Sequence, residues 1–185
     1  MKKLVLAAVL LGLAVVTSAV AAEVAGVKLP DTVTVDGKTL KYNGAGLRKK
    51  AIFKVYVAAL YVETPSKDAA ALISSNQEKS VRLHMLRSVE GPKVSGAIAE
   101  AFELNSAAAM PQLKGRLDQL AKMIPDVKEG DEIALTWIPD KGTQVATRGT
   151  TAGTIEGRDF SDALLSVWLG PNPLQEDLKT GLTGN

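Results

Sequence analysis

The sequence predicts an α+β fold, an antiparallel sheet with helices layered on one face, and three observations carry that prediction. A long apolar run from Phe53 to Val62 is rich in β-branched and aromatic residues and has apolar side chains at both parities, the pattern of a central strand covered on both faces. Threonine-rich strands separated by glycine turns fill Glu132 to Ile155. Helical periodicity occupies the stretch between these strand regions and returns after the second.

Taken in order, the chain opens with Met1-Lys2-Lys3, an apolar run from Leu4 to Val16 and the small-x-small series Ala19-Val20-Ala21. Residues 1–22 therefore read as a secretory signal peptide, and the run is short against the about 20 residues of a membrane span. The expected product is an exported, periplasmic domain of residues 23–185 with no stable membrane anchor after cleavage. Without a cysteine, neither a lipidated anchor nor a disulfide framework is available, so an apolar core alone must hold the fold.

Val27 to Leu29 and Thr32 to Val35 read as strands, and Asp36-Gly37 as the turn handing over to Lys38 through Tyr42. Asn43-Gly44-Ala45-Gly46 reads as a bend before the central strand, with the basic cluster Arg48-Lys49-Lys50 following it. Thr64-Pro65 ends that strand, and a short helix follows from Ser66 to Ile73 with a serine or threonine near its cap. Ser80 to Leu86 alternates as a half-buried strand. It places Val81, Leu83 and Met85 on one side and His84, read as a surface residue, on the other.

Gly91-Pro92 opens a helix bearing Val94, Ala97, Ile98, Ala101 and Phe102 at helical spacing. A second helix runs from Pro111 to Met123 along Leu113, Leu117 and Leu120, and Pro125 stops it. After a three-strand meander, Asp159 reads as the cap of a helix carrying Phe160, Leu164 and Trp168 inward, which Gly170-Pro171 terminates. A last short helix spans Leu174 to Leu178.

Composition excludes several function classes. Without Lys2 and Lys3, the 22 basic residues fall to 20 against 20 acidic ones, so the exported chain is near neutral. With few aromatics besides, it lacks the basic footprint and stacking surface of a nucleic-acid binder. One histidine and no cysteine form no recognisable metal site, and no cofactor is expected. Gly44-Ala45-Gly46 is not a dinucleotide fingerprint, because Lys49 stands where the third glycine belongs and a strand follows where a helix is required. Ser95 lacks the flanking glycines of a nucleophile elbow.

The candidate site is the pair Arg48 and Tyr56, a permanent cation and a phenol that could meet at one end of the buried strand. The segment GAGLRKKAIFKVYVAALYVE, the Gly91-Pro92 helix start, the meander with Gly130-Asp131 before it, and Phe160 through Leu178 with Trp168-Leu169-Gly170 resemble the chalcone isomerase superfamily. They are most similar to its exported bacterial chalcone isomerase-like members. The resemblance implies an open-faced sandwich with a ligand cleft between sheet and helices.

In the enzymes of that superfamily an arginine after the glycine turn helps to steer attack of a phenolate on an enone, and Arg48 matches it. Their further polar groups fall on Tyr56, Val94, Ala101 and Val167. Valine and alanine neither donate hydrogen bonds nor relay protons, so the resemblance implies no catalytic residues. Arg48 with Tyr56 instead resembles the arginine and tyrosine that clasp a fatty-acid carboxylate in the plant fatty-acid-binding branch. The leading expectation is thus a non-catalytic protein holding a small amphipathic carboxylate. A chalcone-flavanone-type lyase and an envelope interaction protein without ligand are the other two readings.

Overall fold

The computed structural model describes residues 19–185. The elements, in order, are β1 (Val20–Val24), β2 (Val27–Pro30), β3 (Thr32–Val35), β4 (Lys38–Lys50), β5 (Phe53–Val62), α1 (Ala69–Ser74), β6 (Lys79–Met85), α2 (Gly91–Ser106), α3 (Met110–Met123), β7 (Glu132–Ile138), β8 (Gly142–Thr147), β9 (Thr150–Ile155), α4 (Arg158–Leu169) and α5 (Glu176–Leu182). Strands β3 to β9 form one antiparallel sheet in sequence order, while β1 and β2 pair as a separate hairpin. The leader's apolar run lies outside the described residues. Its expected boundary after residue 22 falls inside β1, where Ala22 opposes Leu29 and Glu23 opposes Lys28.

As expected, β5 is an inner strand covered on both faces, third of the seven. Tyr56, Ala58, Leu60 and Val62 face a core shared with the helices, joined by Val81, Leu83 and Met85 of β6 and by Ile98, Phe102, Phe160 and Trp168. Val57, Ala59 and Tyr61 face a second core with Leu29, Val35, Leu40 and Ile138, to which no helix contributes a buried side chain. The helices thus lie on one face, and the β1–β2 hairpin helps to seal the other. Between α2 and α4 the rings of Phe102 and Phe160 pack at 5.6 Å, a contact worth about 0.5–1.5 kcal/mol beyond area burial.

Five local expectations are corrected. The glycines at 44 and 46 make no bend, because β4 runs unbroken through them with register shifts between Tyr42 and Gly44 and between Arg48 and Lys49. They are instead the platform on which α5 lands: a Cβ on Gly44 would lie 2.3 Å from the Gly181 carbonyl oxygen, and one on Gly181 would lie 2.4 Å from that of Ala45. The reversal comes later, at Ala51, whose φ is 53°.

Helix caps also differ from expectation. Asp68, not a serine or threonine, caps α1 by accepting from the Ala70 and Ala71 amides. Gly157 caps α4 at φ 100°, and Asp159 lies in the first turn, held by two bonds from Arg116 at 2.7 and 2.6 Å. That guanidinium keeps the Asp159 carboxyl below the usual carboxylate range. The last helix starts two residues later and runs longer than the sequence suggested, ending at Leu182.

His84 is half-buried rather than surface, with Nε2 3.3 Å from Glu132 on the face away from the helices. Burial lowers its pKa and the carboxylate opposes that shift.

Candidate functional site

Antiparallel pairing places Arg48 directly opposite Tyr56, so both side chains emerge on the helix face at the same end of the sheet. Beneath α2 this end is not filled. A cavity of about 800 Å³, within the range of small-molecule sites, opens there between β5, β6 and α2. Its floor is buried and apolar: Tyr56, Leu83, Val94, Ile98 and Val127. A two-bond bridge between Val89 and Val127 (2.9 and 3.0 Å) ties the segment before α2 to the one after α3 and walls the cavity on that side.

The rim is polar and, apart from the half-buried Arg48, its charged residues are exposed. Arg48, Lys50, Arg87, Lys93 and Lys128 supply five cations against three carboxylates, Glu90, Glu100 and Asp126. Two of the three are engaged: Glu90 pairs with Lys93 at 3.0 Å, and Asp126 accepts from the Gly91 amide at 2.8 Å. The mouth therefore carries excess positive charge, which favours anionic groups.

The Tyr56 side chain is almost wholly buried, and its hydroxyl oxygen accepts from Trp168 Nε1 at 3.2 Å. That bond occupies the oxygen as acceptor and leaves the O–H as a donor with no protein acceptor among the described residues. Burial raises the phenol's pKa, against smaller lowering effects from the Trp168 bond and the Arg48 charge. The group is a neutral hydrogen-bond donor at ordinary pH.

Arg48 is half-buried and bonds to two neutral oxygens, the Lys49 carbonyl at 2.7 Å and the Gln175 amide at 3.2 Å. No carboxylate of the described residues forms an ion pair with it. A guanidinium so placed has charge and donors left for a bidentate partner.

Gln175 is the residue that sequence reasoning missed. Its amide oxygen also accepts from the Lys49 amide at 2.9 Å, and its amide nitrogen donates to the Leu47 carbonyl at 3.1 Å, so one side chain substitutes for a neighbouring strand along β4. It fixes the backbone on either side of Arg48. No local pattern marks it, because its partners lie more than 120 positions away in sequence.

Of the positions that correspond to polar groups in the enzymes, Tyr56 and Val94 line the cavity. Ala101 and Val167 are buried in the helix-side core and do not line it. Among the described residues no group of three or more His, Cys, Asp and Glu side chains is placed to hold a metal ion.

A family model described as chalcone isomerase-like matches residues 21–184, nearly everything described. The chain belongs to the chalcone isomerase-like family. Among solved structures, the crystal structure of a fatty-acid binding protein from Arabidopsis thaliana superposes with a TM-score of 0.68 at 14% identity, over 85% of this chain and 92% of that one. At that identity the likeness establishes the fold. No curated protein matches the sequence. The expected fold class, an antiparallel sheet with helices on one face, holds for this chalcone isomerase-like protein in full.

Proposed function

We propose that this protein is an exported, non-catalytic carrier that holds a fatty acid or a similar amphipathic carboxylate between sheet and α2. The observation that carries the proposal is the joint placement of Arg48 and Tyr56 on one cavity with a buried apolar floor, the arginine having no counterion among the described residues. The guanidinium binds the carboxylate through parallel N–H bonds, the Tyr56 O–H adds another, and the floor takes the acyl chain. That the solved neighbour is a fatty-acid binding protein supports the same reading.

Displacement of a fluorescent fatty-acid analogue by unlabelled saturated acids of increasing length tests it. Affinity should rise with each methylene the cavity can bury, by up to about fourfold per group, and then level off. Methyl esters of the same acids should compete poorly, having lost the charge. Equal competition by acid and ester, or none by either, overturns the reading. Absence of catalysis has its own test: chalcone should cyclise no faster with the protein than in buffer, and an acceleration of about 100-fold, the scale of one positioned acid-base group, would refute it.

A further inference from the structure

We propose that the tip of the β4–β5 hairpin is a docking element for anionic phospholipid bilayers, which sets the mouth of the cavity against the membrane surface. The tip is built in a way the fold alone does not require. Ile52 is 88% exposed and Phe53 53% exposed, adjacent large apolar side chains at a reversal where polar turn residues are the norm. Ala51 holds the turn at positive φ, so the pair is presented by a fixed backbone.

Along the hairpin that carries this apolar point the charge is of one sign. Lys49 stands directly opposite Lys54 across the ladder, and the Arg87 guanidinium lies 4.7 Å over the Phe53 ring. Like charges in direct cross-strand register repel, and no carboxylate of the described residues pairs with either lysine. From Tyr42 to Val62 there is no Asp or Glu, and none of Lys49, Lys50, Lys54 or Arg87 forms an ion pair with the described residues.

An apolar wedge ringed by unneutralised cations matches a surface that offers phosphates in a plane and hydrocarbon just beneath it. The ring of Phe53 and the side chain of Lys50 also belong to the cavity rim, so the docked tip and the cavity mouth are continuous. Ile52 does not line the cavity, which makes docking separable from occupancy.

Co-sedimentation with vesicles of phosphatidylglycerol mixed into phosphatidylcholine, against phosphatidylcholine alone, reads the interaction. Binding should be at least about tenfold stronger to the anionic vesicles and should weaken when salt is raised from about 0.1 M to 0.5 M. Ile52→Asp should lower it about tenfold, and Lys49→Ala or Lys54→Ala each about fivefold.

A retained leader could hold the protein to either vesicle. Ile52→Trp in vesicles bearing brominated acyl chains therefore gives a second reading: quenching of the added indole that depends on anionic lipid supports docking. Equal binding to both vesicle types without such quenching overturns the proposal, as does an unchanged affinity in Ile52→Asp. A change of oligomeric state in Ile52→Asp, with no lipid dependence, would show that the tip contacts a second copy instead. Fatty-acid displacement measured on Ile52→Asp should be unaltered, so loss of vesicle binding and loss of cargo binding are told apart.

Discussion

Two cations lie on the helix face at opposite ends of β5, and the protein treats them differently. Lys79 sits opposite Val62, and Arg48 opposite Tyr56 six residues away, about 20 Å along the strand. Lys79 is 3% exposed, and its charge is consumed internally: the ammonium donates to the Leu72 carbonyl at 2.9 Å and to that of Ile73, both near the end of α1, and lies 3.7 Å from Asp162. Only a space of about 20 Å³ remains beside it. Arg48 has neutral partners, no carboxylate among the described residues, and a large cavity in front of it. A cation that closes a helix terminus and pairs with a carboxylate is structural, whereas one held in place by an amide and left without a counterion is available to a ligand.

Arg48→Ala gives the largest separation of the two ends. Affinity for a carboxylate ligand should fall by about 2–5 kcal/mol, because the anion would be left in a poorly solvated cleft, while unfolding free energy moves by about 1 kcal/mol or less. Paired titrations of ligand and of urea check both. If stability falls and affinity does not, Arg48 is a structural cation like Lys79.

Tyr56→Phe should weaken binding less, by about 1.5–3 kcal/mol for one hydrogen bond to a charged group. It also leaves Trp168 Nε1 without its acceptor, so this variant, unlike Arg48→Ala, should lose stability measurably. Unaltered affinity in a folded Tyr56→Phe would remove the phenol from the site.

Lys79→Met inverts the pattern. It should lower stability by about 1–3 kcal/mol, since two α1 carbonyls lose their donor, and leave ligand affinity unchanged. A change in affinity would mean that the two ends are coupled.

The smallest effect is one of pH. Burial lowers the Lys79 pKa to about 8, against the Asp162 charge, which raises it. Below pH 8 the ammonium is charged in both folded and unfolded chains, and the desolvation penalty is fully present. Between about pH 8 and 10.5 the unfolded chain binds more protons, so stability should rise with pH. The rise ends above about pH 10.5, where the unfolded lysine is itself deprotonated. Urea midpoints across that window should climb in the parent relative to Lys79→Met, and parallel curves would count against a buried charged lysine.

Periodicity alone settled much of the fold. The two-sided run from Phe53 to Val62, the alternation of β6, the apolar stripes of α2 and α3 and the turn chemistry of the meander are local patterns, set by the 2.0 and 3.6 repeats of backbone geometry. Arg48 and Tyr56 were legible as a pair because a short hairpin brings near neighbours together. The ambiguous residues were those that serve two contexts. Gly44 reads locally as a bend and is in fact where the α5 backbone comes too close for any Cβ. Asp159 reads as a cap and is an ion-pair partner for α3.

Only the tertiary structure could decide that α2 stands off the sheet at one end and leaves a cavity over Tyr56. The same holds for Gln175 holding the strand beside Arg48, and for Lys79 finding carbonyl acceptors in α1 and a counterion in α4 while Arg48 finds no counterion among the described residues. A strand or helix is fixed by interactions a few residues apart, which the sequence displays. A cavity and an unpaired charge are defined by what distant segments fail to fill, and no single stretch of sequence carries that information.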